Sequence, residues 1–195
     1  MPEDDKKIPV NLKFDVQRDI INETRGIVVA LKNFKDAVTE LPAKKIRILS
    51  DWIIKWALLL RNESKFNPSK LKRYKQREII LVDFGFNVDG EFGGRHYAVV
   101  LEKANNPKSS VILVAPITSY DSEKNEKAHA ANVDLGVGAI NDYVKGAEIV
   151  TNQLRYVSKM RIEKPKTSME PRAYVTKEQF SELLTKIQNQ ICLTD

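Results

Sequence analysis

Cysteine and histidine are scarce in this 195-residue chain, which has one Cys and two His. A single cysteine excludes an intramolecular disulfide and any cysteine-based zinc cluster, and two histidines alone argue against a metal site. We therefore expect neither a metal nor another cofactor. Glycine and proline, at eight residues each, exclude a collagen-like or low-complexity chain. Any catalysis in this chain then depends on ordinary side chains.

Long apolar runs are also missing. The longest, over residues 52–60, is interrupted by Lys55 and is far shorter than the roughly 20 residues that cross a bilayer. The first ten residues, MPEDDKKIPV, have no apolar segment of the kind found in secretory signals. We expect a cytoplasmic protein without membrane contact.

Positive charge is unevenly distributed along the chain. Residues 1–75 contain 17 basic and 10 acidic residues, whereas residues 76–195 contain 15 basic and 16 acidic residues. The densest basic stretch, residues 65–77, has no acidic residue and indicates a solvated linker. Its alternative role is phosphate binding, because clustered cations release counterions when they bind nucleic acid.

Apolar spacing of three and four residues predicts two helices before this linker. The first covers residues 24–41 and ends at Pro42, and the second covers residues 46–60, so we expect a helical hairpin with buried apolar faces. Trp52 and Trp56 are four residues apart and share one face of the second helix. Core packing is the favoured interpretation of this face, and a dimer or partner surface is the alternative.

Short strands follow the linker. Residues 78–84, 97–101, 111–115 and 147–151 are rich in β-branched and aromatic residues, and the glycine-rich segment between the first two predicts a loop joining antiparallel neighbours. Strands at this spacing favour a small, curled β-barrel. Thr176 and Gln179 form a capping-box pattern before a C-terminal helix. The predicted fold class is α+β.

Four sequence motifs of the second part lie in a familiar order. They are VDFG at 82–85, DGEFGGRHYAVVL at 89–101, PITS at 116–119 and, more weakly, EIVTNQLRYVSKMRI at 148–162. Together they resemble the PemK/MazF family of toxin–antitoxin ribonucleases. The resemblance covers residues 76–193 and leaves the first 75 residues outside. We accordingly predict a helical extension over 1–75 and a PemK/MazF-like domain over 76–195.

The resemblance implies an SH3-like barrel with helices, an architecture shared with CcdB toxins. It also implies a homodimer that cleaves single-stranded RNA, such as mRNA, without a metal, and that is silenced by a cognate antitoxin protein. Any contact with DNA would come only through an antitoxin complex.

The same resemblance implies catalytic residues. The family's catalytic arginine is the second residue after the Gly-Gly pair, with the threonine of the PITS segment beside it. Here Arg95 is the first of these two residues and His96 occupies the catalytic position. An imidazole with a pKa near 6.5 can accept or donate a proton, whereas a guanidinium is a fixed cation. Arg95 and His96 both stay candidates, together with Thr118 and Ser119 as phosphate contacts.

Other residues are candidates for holding the RNA strand. Phe92 beside the two glycines can stack on unpaired bases, and an arginine and a lysine of the fourth motif can contact phosphates. A surface salt bridge is the alternative role of that arginine. The RNA-binding candidates are Phe92, Gly93, Gly94, Arg155 and Lys159.

Two other functions fit the same pattern, because one fold can carry several functions. One is a toxin without catalysis that binds a topoisomerase, as CcdB-like toxins do. The near-neutral charge of residues 76–195 favours this alternative. The other is a degenerate barrel with a scaffolding role.

Overall fold

The computed structural model describes residues 10–121, 124, 126–140 and 145–192, with side chains described from residue 24 onward. The first nine residues of the predicted extension lie outside this description. Contacts divide the chain into two compact units, residues 1–51 and residues 52–195. The domain boundary at residue 75 stays a prediction.

Two long helices form the N-terminal part, as the apolar spacing predicts. Helix α1 is Val10–Thr39, and helix α2 is Ala43–Asn62. The break between them includes Pro42, whose ring cannot continue a helix. The predicted burial of the first helix is wrong, because Ile27 and Leu31 are 56% and 59% exposed. Helical spacing specifies a face that can be buried, but it does not specify what covers that face.

The basic segment after α2 is more ordered than a solvated linker. It contains short 3₁₀ turns at Glu63–Lys65 and Pro68–Lys70. Lys72 is then buried and forms an ion pair with the fully buried Glu78. Tyr74 is buried too, and its hydroxyl donates to the Pro165 carbonyl over 3.0 Å. The prediction of a solvated linker is therefore wrong for Lys72 and Tyr74, which are buried within the second unit.

Within the described ranges, eight strands form an antiparallel sheet. They are β1 Glu78–Asp83, β2 Arg95–Val100, β3 Val111–Tyr120, β4 Val133–Val137, β5 Gly146–Ile149, β6 Arg155–Ser158, β7 Ile162–Lys164 and β8 Ala173–Tyr174. The strand order is β4-β5-β3-β2-β1-β7, with β6 also paired to β3 and β8 to β1. The α+β class is confirmed. Among the described residues, β4 and β7 end the path without pairing to each other, so the sheet is curled but not closed.

The long strand β3 produces the curl, because it pairs with different neighbours along its length. Its first half pairs with β6 and β2, and its second half, from Ile117 to Tyr120, pairs with β5. The two faces of the sheet then bury separate clusters. We call the cluster that contains Phe180 and Leu183 the helix-side core, and the cluster that contains Phe84 and Val114 the loop-side core.

Helix α3, Lys177–Ile191, follows the sheet. Its Thr176 hydroxyl accepts from the backbone N–H of Gln179, and the Gln179 side chain accepts from the backbone N–H of Thr176. This capping box satisfies N–H groups that the helix itself cannot pair, and it confirms the predicted helix start. None of the helices in the described ranges is long and apolar enough to cross a membrane.

Candidate functional site

The glycine-rich loop between β1 and β2 is closed by backbone hydrogen bonds at its base. The Gly94 N–H donates to the Gly85 carbonyl over 2.6 Å, and the Phe84 N–H donates to the Gly94 carbonyl over 2.7 Å. Both glycines have positive φ, 81° at Gly85 and 82° at Gly94, a conformation that other residues rarely adopt. A Cβ on Gly93 would lie 2.8 Å from the Gly85 carbonyl oxygen. The glycines therefore allow the two arms of the loop to approach closely.

Polar side chains hold the rest of the loop. The Asn87 side-chain amide donates to the Phe92 carbonyl over 2.7 Å and, over 3.3 Å, to the Phe84 carbonyl. The Gln153 side chain accepts from the Phe92 N–H over 3.2 Å and donates to the Gly90 carbonyl over 3.3 Å. Gln153, which lies in the fourth motif two residues before Arg155, thereby joins that motif to the glycine loop.

Arg95 and His96 begin β2 directly after this loop. Their Cα partners on β1 are Asp83 and Val82, and the pairing of the two strands runs without a register shift. Consecutive strand residues therefore point to opposite faces. The His96 ring lies 4.6 Å from the Phe92 ring, centroid to centroid, whereas Arg95 donates to the Glu163 carboxylate. The two candidate catalytic groups have different neighbours.

His96 is half-buried. Burial lowers the pKa of His96, and a hydrogen bond to the backbone of Ile117 opposes this change without cancelling it. The buried Nδ1 atom has no hydrogen-bond partner among the described residues. An imidazole with a lowered pKa is neutral at pH 7 and has one unprotonated nitrogen, so it can accept a proton there.

Thr118 lies on the strand next to His96. Ala98 of β2 and Val114 of β3 are both in the loop-side core, and Ala98 pairs with Pro116. His96 is two residues before Ala98 on β2, and Thr118 is two residues after Pro116 on β3. Because alternate residues of a strand share a face, both side chains are assigned to the face that carries the loop-side core. The contact between His96 and the backbone of Ile117 agrees with this placement. Ser119 follows on the opposite face and is exposed.

Arg155 joins this group from β6. Its guanidinium lies 5.8 Å from the centroid of the Phe84 ring, and it donates to the Gln153 side chain over 3.2 Å. The Phe84 and Phe92 rings meet edge to face at 5.3 Å. One cluster therefore contains an imidazole, a guanidinium and a half-buried aromatic ring. We call His96, Phe92, Arg155 and Thr118 the loop-side site.

Arg95 belongs to a separate charge network. Lys55 of α2 donates to Asp83 and, over 2.5 Å, to Glu163, which also accepts from Arg95. Burial opposes the charge of Lys55, but its two hydrogen bonds to carboxylates raise its pKa on balance. Burial likewise opposes the charge of Glu163, and the bonds from Lys55 and Arg95 lower its pKa on balance. Neither Lys55 nor Glu163 belongs to a motif that predicts a site, although a lysine that interrupts the apolar run at 52–60 could have indicated a buried ion pair.

Lys159 lies apart from this network. Only 2% of the residue is exposed, and its ammonium donates to the Asn106 carbonyl over 2.9 Å. Burial lowers the pKa of Lys159, although the nearby Glu102 carboxylate acts in the opposite direction. The predicted RNA contact is therefore corrected, because the charged group of Lys159 is covered. No group of three His, Cys, Asp or Glu side chains within the described ranges is arranged to hold a metal ion.

Comparison with known proteins identifies the family. The model of the PemK-like, MazF-like toxins of type II toxin–antitoxin systems matches residues 75–191, more than half of the chain. The chain belongs to this family, and the predicted family resemblance is confirmed.

The solved structures that resemble this chain have low sequence identity to it. One is MazF from Deinococcus radiodurans, with 19% identity and a TM-score of 0.46, covering 62% of this chain and 97% of that one. A second is the toxin MazF-mt6 from Mycobacterium tuberculosis, with 16% identity and a TM-score of 0.42, covering 60% of this chain and 99% of that one. The chain has no match among curated proteins.

Proposed function

We propose that this toxin is an endoribonuclease that cleaves single-stranded RNA, including mRNA, without a metal. The observation that carries the proposal is the loop-side site, in which a half-buried imidazole shares one face of the sheet with Thr118 and Arg155. Metal-free cleavage requires a proton acceptor and a positive charge beside the phosphate, and these side chains provide both. The family membership supports the same activity.

In the proposed reaction, the RNA 2′-hydroxyl attacks the adjacent phosphorus and its proton passes to His96. The new bond joins the 2′-oxygen to phosphorus, and the bond from phosphorus to the 5′-oxygen breaks. The imidazolium returns the proton to that oxygen, so the products are a 2′,3′-cyclic phosphate and a 5′-hydroxyl. The lowered pKa of His96 suits the first step, because the unprotonated ring is the form that accepts a proton.

The remaining candidates bind the strand in this proposal. Arg155 stabilises the charge that develops on the phosphate, and the Thr118 hydroxyl hydrogen-bonds a phosphate oxygen. Phe92 stacks on a base, and Gly93 and Gly94 let the strand approach the loop backbone. Arg95 and Ser119, on the other face of their strands, contact flanking phosphates in the same proposal.

The family also suggests the partners. We propose that a protein antitoxin binds and silences this toxin and that the toxin acts as a homodimer in the cytoplasm. The supporting observation is the match to type II toxin–antitoxin toxins over residues 75–191. Copurification with the product of a neighbouring gene and a mass measurement in solution test these two statements.

The test of catalysis uses a long single-stranded RNA in the presence of a chelator. We expect cleavage by the unmodified protein and a loss of about a hundredfold or more in His96→Ala, the usual contribution of a general acid–base group. The matched control is His129→Ala, which removes the other histidine, an exposed one. Equal cleavage by His96→Ala and His129→Ala would show that the proton-transfer assignment is wrong.

A toxin that binds a topoisomerase without catalysis is the second candidate. The observation in its favour is the net charge of residues 76–195, which is near neutral and supplies little general attraction for RNA. Growth inhibition by the triple variant Arg95→Ala/His96→Ala/Thr118→Val, with topoisomerase trapped on DNA, would select this function. If the unmodified protein neither inhibits growth nor cleaves RNA, a scaffolding role is indicated instead.

A further inference from the structure

The second half of α2 packs against the base of the glycine loop. The Trp52 ring lies so close to Gly85 that a Cβ at that position would be 2.6 Å from its Cζ2 atom. The guanidinium of Arg161 also lies 4.9 Å from the ring centroid and donates to the Phe84 carbonyl over 3.1 Å. Trp52 is thus in contact with the residue whose carbonyl closes the loop.

Lys55 lies one helical turn later and contacts β1, which leads into the loop, and β7, which pairs with β1. It bridges Asp83, the last residue of β1, and Glu163 of β7. The other carboxylate oxygen of Asp83 accepts from the Gly85 N–H over 2.9 Å. Glu163 also holds Arg95, the residue directly before His96. One ammonium therefore connects to both ends of the loop through two carboxylates.

Lys55 and its two carboxylate partners are partly shielded from water. Its side chain is 35% exposed, while Asp83 and Glu163 are only 14% and 25% exposed. Hydrogen bonds between charged groups gain strength as water is excluded from them. The ammonium also offsets the charge of two carboxylates that are close together, so its removal leaves like charges facing each other.

The helix that supplies these residues lies outside the segment shared with the family, which begins at residue 75. We propose that Lys55 and Trp52 are positioning residues of the loop-side site. They hold the first and last residues of the glycine loop so that His96 keeps its orientation. The expected effect on RNA cleavage rests on the proposed ribonuclease function. The expected effect on the loop rests on the loop geometry alone. It makes the second half of α2 a structural part of the site.

The test measures two properties of the full-length protein. One is amide hydrogen exchange of Phe84 and Gly94, whose N–H groups close the loop base. The other is kcat and KM for RNA cleavage. The variants are Lys55→Ala, Lys55→Arg and Trp52→Ala. The matched control is Lys45→Ala, which removes an exposed lysine of the same helix.

We expect Lys55→Ala to speed exchange at Phe84 and Gly94 by about tenfold, as for the loss of one charge-assisted hydrogen bond. The amide of Ile117 in β3 serves as the reference and keeps its exchange rate, which shows that the variant is folded. We expect kcat to fall by about ten- to a hundredfold with KM little changed, because misplaced groups lose rate rather than binding. Lys55→Arg restores both properties in large part.

Unchanged loop exchange in both Lys55→Ala and Trp52→Ala would overturn the proposal, whatever the activity. Faster RNA cleavage in Lys55→Ala would overturn it as well, because the helix would then be an inhibitory cover. If the unmodified protein cleaves no RNA, the ribonuclease function fails, and the exchange measurement alone decides whether the helix holds the loop.

Discussion

Substitution of Gly85 by alanine is a sharp test of the packing at the loop base. The residue has a φ of 81°, and an added Cβ would lie 2.6 to 2.9 Å from three atoms of the Trp52 ring. The change therefore introduces two separate penalties. One is backbone strain in the left-handed region, and the other is overlap with a ring that is itself confined by Arg161.

The size of each penalty follows from the geometry. Left-handed backbone costs a residue with a Cβ roughly 1–2 kcal/mol, and overpacking costs about 1–3 kcal/mol. Alanine also lowers the conformational entropy of the unfolded chain, which offsets about 0.4–1 kcal/mol of these penalties. We expect Gly85→Ala to lower the free energy of unfolding by about 1–5 kcal/mol, against the 5–15 kcal/mol typical of a domain.

Urea unfolding followed by circular dichroism measures this effect in four proteins: the unmodified chain, Gly85→Ala, Trp52→Ala and the double variant. Removing the Trp52 ring relieves the overlap but leaves the backbone strain. The alanine at residue 85 should therefore cost about 1–3 kcal/mol less in the Trp52→Ala background, the overlap part alone.

Gly90→Ala is the control, because that glycine is exposed, its φ is not in the left-handed region and an added Cβ meets nothing within 4 Å. Its effect should stay within about 0.5 kcal/mol. An equal cost of Gly85→Ala in both backgrounds would refute the contact between Trp52 and the loop base. The positioning role proposed for α2 would then depend on Lys55 alone, without the contact between Trp52 and Gly85.

Three other predictions concern stability. Lys72→Met leaves the Glu78 carboxylate buried without its partner, so we expect a loss of about 3–5 kcal/mol in urea unfolding, and a smaller loss in Lys72→Met/Glu78→Leu. The pKa of His96 is lower in the folded chain than its ordinary 6.5. Its contribution to stability is therefore complete above about pH 6.5 and declines as the pH falls toward the folded-state pKa, because the unfolded chain binds the proton first. Unfolding curves from pH 8 to 5 should show this decline, and His96→Gln should remove it; an unchanged decline would assign it to other groups. Thr176→Ala removes the cap of α3 and should cost about 1 kcal/mol, measured by thermal unfolding, whereas no change would contradict the role of the capping box.

Local chemistry in the sequence determined the elements that need no distant partner. The hydroxyl of Thr176 and the side chain of Gln179 start α3 where the capping pattern predicts, because both bonds form within four residues. Pro42 separates two helices because its ring excludes helical continuation. The glycines at 85 and 94 predicted a turn for a similar reason, since only glycine adopts their backbone without strain.

Tertiary structure alone decided which groups share a site. Arg95 and His96 are neighbours in sequence, yet strand alternation sends one to Glu163 and the other to Phe92. Lys55 reaches a carboxylate 108 positions further along the chain, and Lys159 is covered by a loop that the motif does not include. Such contacts depend on how strands and helices pack, and apolar spacing in one segment carries no information about the segment that will lie against it.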